Sequence, residues 1–443
     1  MFRIALASLR HRASAFVAAF FALFLGAALV MSFGSLLDTG TSPALDADSA
    51  ETLSIMGGVV GGWSLLLVGF AAVTTTALGV RRRAREIALL KSAGAVPGQI
   101  TRMILTEVLL LAVVAGTLAV PIGFFGGRLL LGLIQDSGQV SPDVAHVFGP
   151  AALGQGFGIT LVSAAGAAVL AARGASRMRV VESMAEAEAP PARLTVRRAV
   201  SGVLLLAAAA TMFTLTLVLG PDLGIEAQAL AGYIDILVAI ALACFAPALV
   251  RLLRVPGSTA SAHLARGNLR ARSGHLSSAL APVVLFLGMA VGTLVLQDVD
   301  ARFHAGMLPE EGAELVKTLN YVITGMVGAF LCILLVNTLA TSTAARRREF
   351  AMLRLAGATP GQLLRMVALE SSALALAGTA LGLLAASATV LPFSYARTDT
   401  WLPHFSPAFP LLATALTLTV TLATPLLITR HLLRRPPITA TSL

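Results

Sequence analysis

The stretch Arg85–Glu107, REIALLKSAGAVPGQITRMILTE, occurs a second time as Arg348–Glu370, REFAMLRLAGATPGQLLRMVALE. The two align without a gap, and thirteen of the twenty-three positions are identical. Each copy follows an arginine cluster, Arg81 to Arg83 in the first and Arg346 with Arg347 in the second, and has a long apolar run on either side. Self-similarity of this kind marks equivalent structural units and has to be read before any single motif. A polar segment duplicated between apolar runs points to a duplicated membrane unit.

Composition agrees. Of 443 residues, 57% are hydrophobic and 12% charged, about half the charged share of an ordinary soluble domain. The apolar residues fall in blocks of about twenty, the helix length that crosses ~30 Å of hydrocarbon. Glycine and proline are frequent, and membrane helices tolerate both. The net charge of +10 sits in short clusters at the ends of apolar blocks rather than along one polar face. That is a topology signal with some attraction to lipid headgroups, and it excludes a nucleic-acid partner. Cys244 and Cys332 each lie inside an apolar block, so neither a disulfide framework nor a metal-ligand spacing is present.

Outward from the motif, the chain reads as ten spans. Met1–Arg12 is amphipathic, with Arg3, Arg10 and Arg12 on its polar side. The apolar run from about 13 to 36 exceeds the core of a signal peptide, so a retained first span is expected. An acidic loop (Asp38, Asp46, Asp48, Glu51) leads to spans near 54–80, 98–134 and 148–172. A polar connector, 174–198, holds Glu182, Glu186, Glu188, Pro190 and Pro191. A central hairpin, 199–254, carries two spans, and Asp235 near the outer end of the second is expected to be interfacial. His263–Arg272 repeats the pattern of the N-terminal segment, and four spans follow near 276–296, 317–345, 361–392 and 408–429.

The expectation is an all-α polytopic membrane protein: ten transmembrane helices, in two parallel four-helix units (1–173 and 255–443) plus the central two-helix hairpin. Even-numbered spans end at arginines and the opposite loops are mainly acidic, with Arg302 and Arg397 as exceptions. By the positive-inside rule the chain is multi-pass in the cell membrane, with both termini and both motifs cytoplasmic. Four spans return the chain to its starting side, so the copies are parallel repeats.

Within the motif, the Ala-x-Leu core favours helix. Gly94–Pro97–Gly98 and Gly357–Pro360–Gly361 then stop it and turn the chain. The charged residues Arg85, Glu86, Lys91, Arg348, Glu349 and Arg354 are expected to face water or a partner. Headgroup anchoring explains the charge but not the repeated order of side chains; a protein partner with two binding surfaces explains both. Glu107 and Glu370 lie about ten residues into their spans, where an ionisable group is functional by default. They form a structural ion pair within reach of Arg102 or Arg365, or they transmit motion. Gly57/Gly61, Gly123/Gly127, Gly288/Gly292 and Gly378/Gly382 permit close helix approach. Tyr395, Trp401 and His404 fit an interfacial aromatic belt.

The segment RRREFAMLRLAGATPGQLLRMVALE resembles the signature of FtsX-like permeases, the MacB/LolC-type membrane subunits of ABC transporters. The likeness covers 1–173 and 263–435 and leaves out the hairpin. It implies that 81–97 and 346–360 are coupling helices docking on a separate ABC ATP-binding subunit, two copies per chain. The docking residues it implies are Arg85, Glu86, Leu90, Gly94, Arg348, Glu349, Leu353 and Gly357. Met1–Arg12 and His263–Arg272 resemble the family's elbow helices. The loops 37–53 and 297–316 are too short for the large outer domain that many members carry.

No G-x-x-x-x-G-K-[ST] sequence occurs, so the chain is expected to be non-catalytic, with ATP and Mg held by the partner. The implied function is export or extraction of an amphiphilic substrate (a peptide, lipid or antibiotic) from the bilayer. A mechanotransmission or sensing complex and a gradient-driven secondary transporter remain the alternatives.

Overall fold

A computed structural model describes residues 13–42, 45–136, 138, 140–177, 194–221, 225–253, 255–271, 273–303 and 310–434. Among them the regular elements are all α-helices, and ten are long and apolar enough to cross a membrane. The chain is an all-α polytopic membrane protein. In chain order the helices are α1 (Ala13–Gly40), α2 (Ala47–Arg82), the short α3 (Ala84–Ser92), α4 (Pro97–Asp136) and α5 (Pro150–Arg177). Next come α6 (Val196–Leu219), α7 (Ile225–Leu252), the short α8 (Ala260–Ala271) and α9 (Ser273–Phe303). The last four are α10 (Glu310–Ala344), the short α11 (Arg347–Leu355), α12 (Pro360–Thr398) and α13 (Ala408–Leu433). Met1–Arg12 and residues 178–193 of the connector lie outside the described residues.

The helices outrun the apolar blocks that announce them, because polar side chains near their ends find backbone partners. Asp38 belongs to α1, not to a loop, and is buried. Its carboxylate accepts the N–H groups of Gly149 (2.9 Å), Ala151 (2.8 Å) and Ala152 (2.7 Å). The first N–H groups of a helix have no partner inside it; here a neighbouring helix caps α5. Asp46 remains in the turn and accepts the Ser49 N–H at 3.2 Å, at the start of α2. Asp298, Asp300 and Arg302 lie in α9, and Glu51 in α2. Arg302 and Arg397, out of place by charge topology, pair with Asp298 and Asp300, each at 3.4 Å.

The chain forms two compact units, Met1–Ala187 with His304–Phe330, and Glu188–Phe303 with Leu331–Leu443. In the first, α1, α2, α4 and α5 pack on one another, around Leu23, Ile104, Ala112, Ala164 and Ala168. Small residues bring these helices close: a Cβ on Gly123 of α4 would stand 2.6 Å from the Cβ of Met31 on α1. Close backbone approach replaces the hydrophobic drive that lipid removes.

In the second unit α9 packs on α12 and α13 around Leu287, Val291, Ala386 and Phe393. The central hairpin is part of this body: α7 lies on α9 and α12, and α6 on α7. The amphipathic α8 lies along α12, burying Ala262, Ala265 and Leu269 while His263 stays exposed. Asp235 departs from its expected interfacial position. It is 1% exposed, and a Cβ added to Gly288 of α9 would stand 2.6 Å from its Oδ1.

Candidate functional site

The two copies of the motif fold alike. Each short helix begins after a break in the span before it, at Arg83 (φ −99°, ψ 12°) and at Arg346 (φ −85°, ψ 6°). Each ends on a glycine in the left-handed region, Gly94 at φ 92° and Gly357 at φ 95°. There the Ala95 N–H donates to the Leu90 carbonyl and the Ala358 N–H to the Leu353 carbonyl, both at 2.9 Å. The Gly94 and Gly357 N–H groups reach the carbonyls of Lys91 and Arg354, both at 3.0 Å. This double closure satisfies the last carbonyls of a helix and favours glycine at the turn. So the backbone of Leu90, Gly94, Leu353 and Gly357 builds the helix end. The next helix opens at once on Pro97 or Pro360, where a missing N–H costs nothing. A Thr359–Gln362 capping box secures the second copy.

The arginine at each break turns back toward the membrane helices. Arg83 Nη1 donates to Glu107 Oε2 at 2.7 Å, and its guanidinium lies 4.1 Å from the Phe16 ring centroid. In the other copy Arg346 donates to Glu370 through Nη1 and, at 3.2 Å, through Nη2. It also reaches Glu349 from Nε (2.9 Å) and Nη2 (3.1 Å). Asn268 of α8 completes the cluster, its Nδ2 donating to Glu370 at 2.7 Å and to Glu349 at 3.2 Å. All three glutamates are buried. A buried carboxylate persists only when paired and hydrogen-bonded, and these bonds do both. One cluster therefore ties the short helix α11, the long helix α12 and the amphipathic α8.

Two expectations change. The partners of Glu107 and Glu370 are Arg83 and Arg346, not Arg102 and Arg365. Five residues on a helix turn a side chain by roughly 140° from its mate, so Arg102 and Arg365 point outward and are exposed. Nor does Glu349 face water: it is 7% exposed and held inside the cluster. Its counterpart Glu86 is exposed, as are Arg347 and Arg348. Arg354 donates to the Leu433 carbonyl at 3.1 Å. The side chain of Arg85 lies outside the described residues.

Each short helix buries one face, Ile87 and Ala88 in the first and Phe350 and Ala351 in the second. The opposite face is apolar and open. Leu89 is 57% exposed and its counterpart Met352 58%, with Leu90, Val96 and Leu355 also exposed. Among the described residues no group of His, Cys, Asp and Glu could hold a metal ion.

Sequence reasoning missed Arg83 and Arg346 as partners, although one signal was available. The arginine-to-glutamate interval is 24 residues in both copies. Asn268 carried no signal, since nothing in a basic amphipathic segment singles out one neutral amide.

The family described as FtsX-like permease C-terminal matches residues 58–180 and 321–437, more than half of the chain and both copies of the motif. Among curated proteins the chain is similar to the pyoverdine export ATP-binding/permease protein PvdT of Pseudomonas aeruginosa. The two are 33% identical over 141 residues, 32% of this chain and 20% of that protein. PvdT of Pseudomonas fluorescens is 31% identical over 139 residues, 31% of this chain and 20% of that protein. The matched part spans about a fifth of the length of these relatives.

Proposed function

This chain belongs to the FtsX-like permease family, and on that premise we propose that it is the membrane subunit of an ATP-driven exporter. A separate ABC subunit, two copies per chain, docks on α3 and α11. ATP and Mg bound in that partner supply the energy; this chain receives and passes on the motion. The arginine-rich ends of the spans and both termini face the cytoplasm, in line with the positive-inside rule. In this reading the chain order is two four-helix units, 1–173 and 255–443, with 174–198 as connector and 199–254 as a hairpin inserted between them and packed on helices of the second.

One observation carries the reading. Two short helices of the same build turn exposed apolar side chains, Leu89 and Met352, outward at equivalent positions. Apolar side chains rimmed by charge mark an interaction surface. Arg85, Glu86, Leu90, Gly94, Arg348, Leu353 and Gly357 belong to these helices and their ends, and Glu349 contributes from inside. A displacement of α3 then reaches α4 through Arg83–Glu107, and one of α11 reaches α12 and α8 through Arg346, Glu349, Glu370 and Asn268. Glu107 and Glu370 are transmission residues in this scheme. The cargo is an amphiphile taken from the bilayer, a peptide, lipid or antibiotic; the relatives named for pyoverdine export support outward movement.

The test is purification of the tagged chain in mild detergent from its own host. A stoichiometric protein with a Walker motif is expected to accompany it. The Leu89→Asp, Met352→Asp double variant, eluting as a single species, should lose that partner and the ATPase activity it brings. Retention of both by the variant would remove α3 and α11 as the docking elements.

A further inference from the structure

Asp235 is an acid that the scheme above does not use. It is almost wholly buried within the second unit, and among the described residues neither carboxyl oxygen has a hydrogen-bond partner. Gly288 of α9 lies close against it. A Cβ on Gly288 of α9 would meet Asp235 Oδ1 at 2.6 Å and the Ala385 methyl of α12 at 3.2 Å, and Gly292 lies one turn on. Gly288 is the middle residue of α9 (Ser273–Phe303), so the carboxyl lies ~22 Å along the axis from either end of that helix.

Among the described residues of α6, α7, α9 and α12, the other charged ones lie toward the helix ends. The ionisable residues of α6 are at its start (Arg197, Arg198), and those of α9 at its two ends (His275 at the start, Asp298, Asp300 and Arg302 at the other). On α12, Glu370 and Arg397 lie toward opposite ends. Tyr233 is the closest ionisable residue on α7 itself.

An isolated carboxylate at such a place is costly, and an ionisable group at membrane depth is functional by default. A proton relieves that charge with no further partner. We propose that Asp235 is a proton-binding site at the junction of the central hairpin with α9 and α12. The packed junction holds the neutral acid. When α7 parts from α9, water reaches the carboxyl, the O–H bond breaks, and the proton leaves to water while the carboxylate keeps the electron pair. Opening of the hairpin is thereby linked to the release of one proton. This linkage is independent of the docking proposed above.

The full-length chain in lipid nanodiscs tests it by two readouts. Infrared spectra should show a carboxylic-acid C=O band at pH 7 that shifts with carboxyl-labelled aspartate and is absent in Asp235→Asn. Hydrogen exchange of α7 and α9, corrected for its intrinsic pH dependence, should rise by up to about tenfold per pH unit, the slope of one proton. The same exchange should be flat in Asp235→Asn. Gly288→Ala, which crowds Oδ1, should move the pH at which the rise begins. Three results would overturn the proposal: no aspartic-acid band in the wild type, a band that disappears without a change in exchange, or exchange that follows sodium at fixed pH.

Discussion

Arg346 stands to Glu370 as Arg83 stands to Glu107: a guanidinium at the head of a short helix meets a buried carboxylate 24 residues further along the chain. Surface pairs between flexible side chains contribute little. These are different, because the carboxylates are inside the protein and would be stranded if the arginine moved away.

That difference separates a structural role from transmission. Removing one member of a buried pair costs ~3–5 kcal/mol, whereas replacing both by apolar residues of like volume is often neutral. Glu107→Leu alone should therefore lower the melting temperature sharply, and Glu107→Leu with Arg83→Met should restore most of it. Partner-coupled ATPase activity should stay low in the double variant. Activity that recovers together with melting would assign Arg83–Glu107 a purely structural role.

The glycines closing the short helices hold a left-handed backbone that most residues with a side chain adopt only at a cost. At both Gly94 and Gly357 a Cβ would meet nothing within 4 Å. Gly94→Ala and Gly357→Ala should each cost ~1–2 kcal/mol through the left-handed backbone alone. Gly98, equally open but with no positive φ, is the control; Gly98→Ala should be neutral or slightly stabilising. Thermal unfolding in detergent at fixed pH compares the three.

Asp38 accepts three backbone N–H groups at the start of α5. In Asp38→Asn one acceptor oxygen becomes a donor facing donors. A loss of ~1–3 kcal/mol is expected, with faster hydrogen exchange confined to the first turn of α5. Exchange that rises evenly along α5 would argue against a capping role.

His146 gives the first unit a pH dependence. Its Nε2 lies 3.1 Å from Ser35 Oγ, which itself donates to the Ser32 carbonyl at 2.8 Å, so Nε2 carries the hydrogen. Nδ1 is buried without a partner among the described residues. Burial and then the Arg128 charge hold the imidazole below its ordinary range, with Asp38 opposing in part. The folded state thus binds the proton less readily than the unfolded one. Its stability is complete above the ordinary histidine value of ~6.5 and declines as pH falls through it. Melting temperature should drop between pH 7 and 5, and by less in His146→Gln; an equal drop in both would place the effect elsewhere.

How legible was all this beforehand? The helices ran further than their apolar blocks, because Asp38 and Asp298 looked like loop residues until their backbone partners were visible. The short helices were readable residue by residue, since Gly94 and Gly357 act within one turn of chain. Glu107 and Glu370 could be singled out as carboxylates in the wrong solvent. Their partners could not, because nearness in sequence favoured Arg102 and Arg365, which the helix rotates away. The charge of Glu349 points to water, yet the residue is buried. Its burial is explained by Arg346 at the head of its own helix together with Asn268 from α8.

Membrane crossing, and one motif carried twice with a glycine stop in each copy, can be read from residue order alone. Those properties rest on transfer from water to lipid and on local backbone sterics, which need no knowledge of neighbours. Which charges meet, that the hairpin lies on α9 and α12, and that Asp235 is shut inside with no partner among the described residues, emerge only from packing. Those outcomes depend on which helix faces touch, and in an apolar chain many faces are equally greasy. Close fit at residues such as Gly123 and Gly288, rather than hydrophobicity, selects among them.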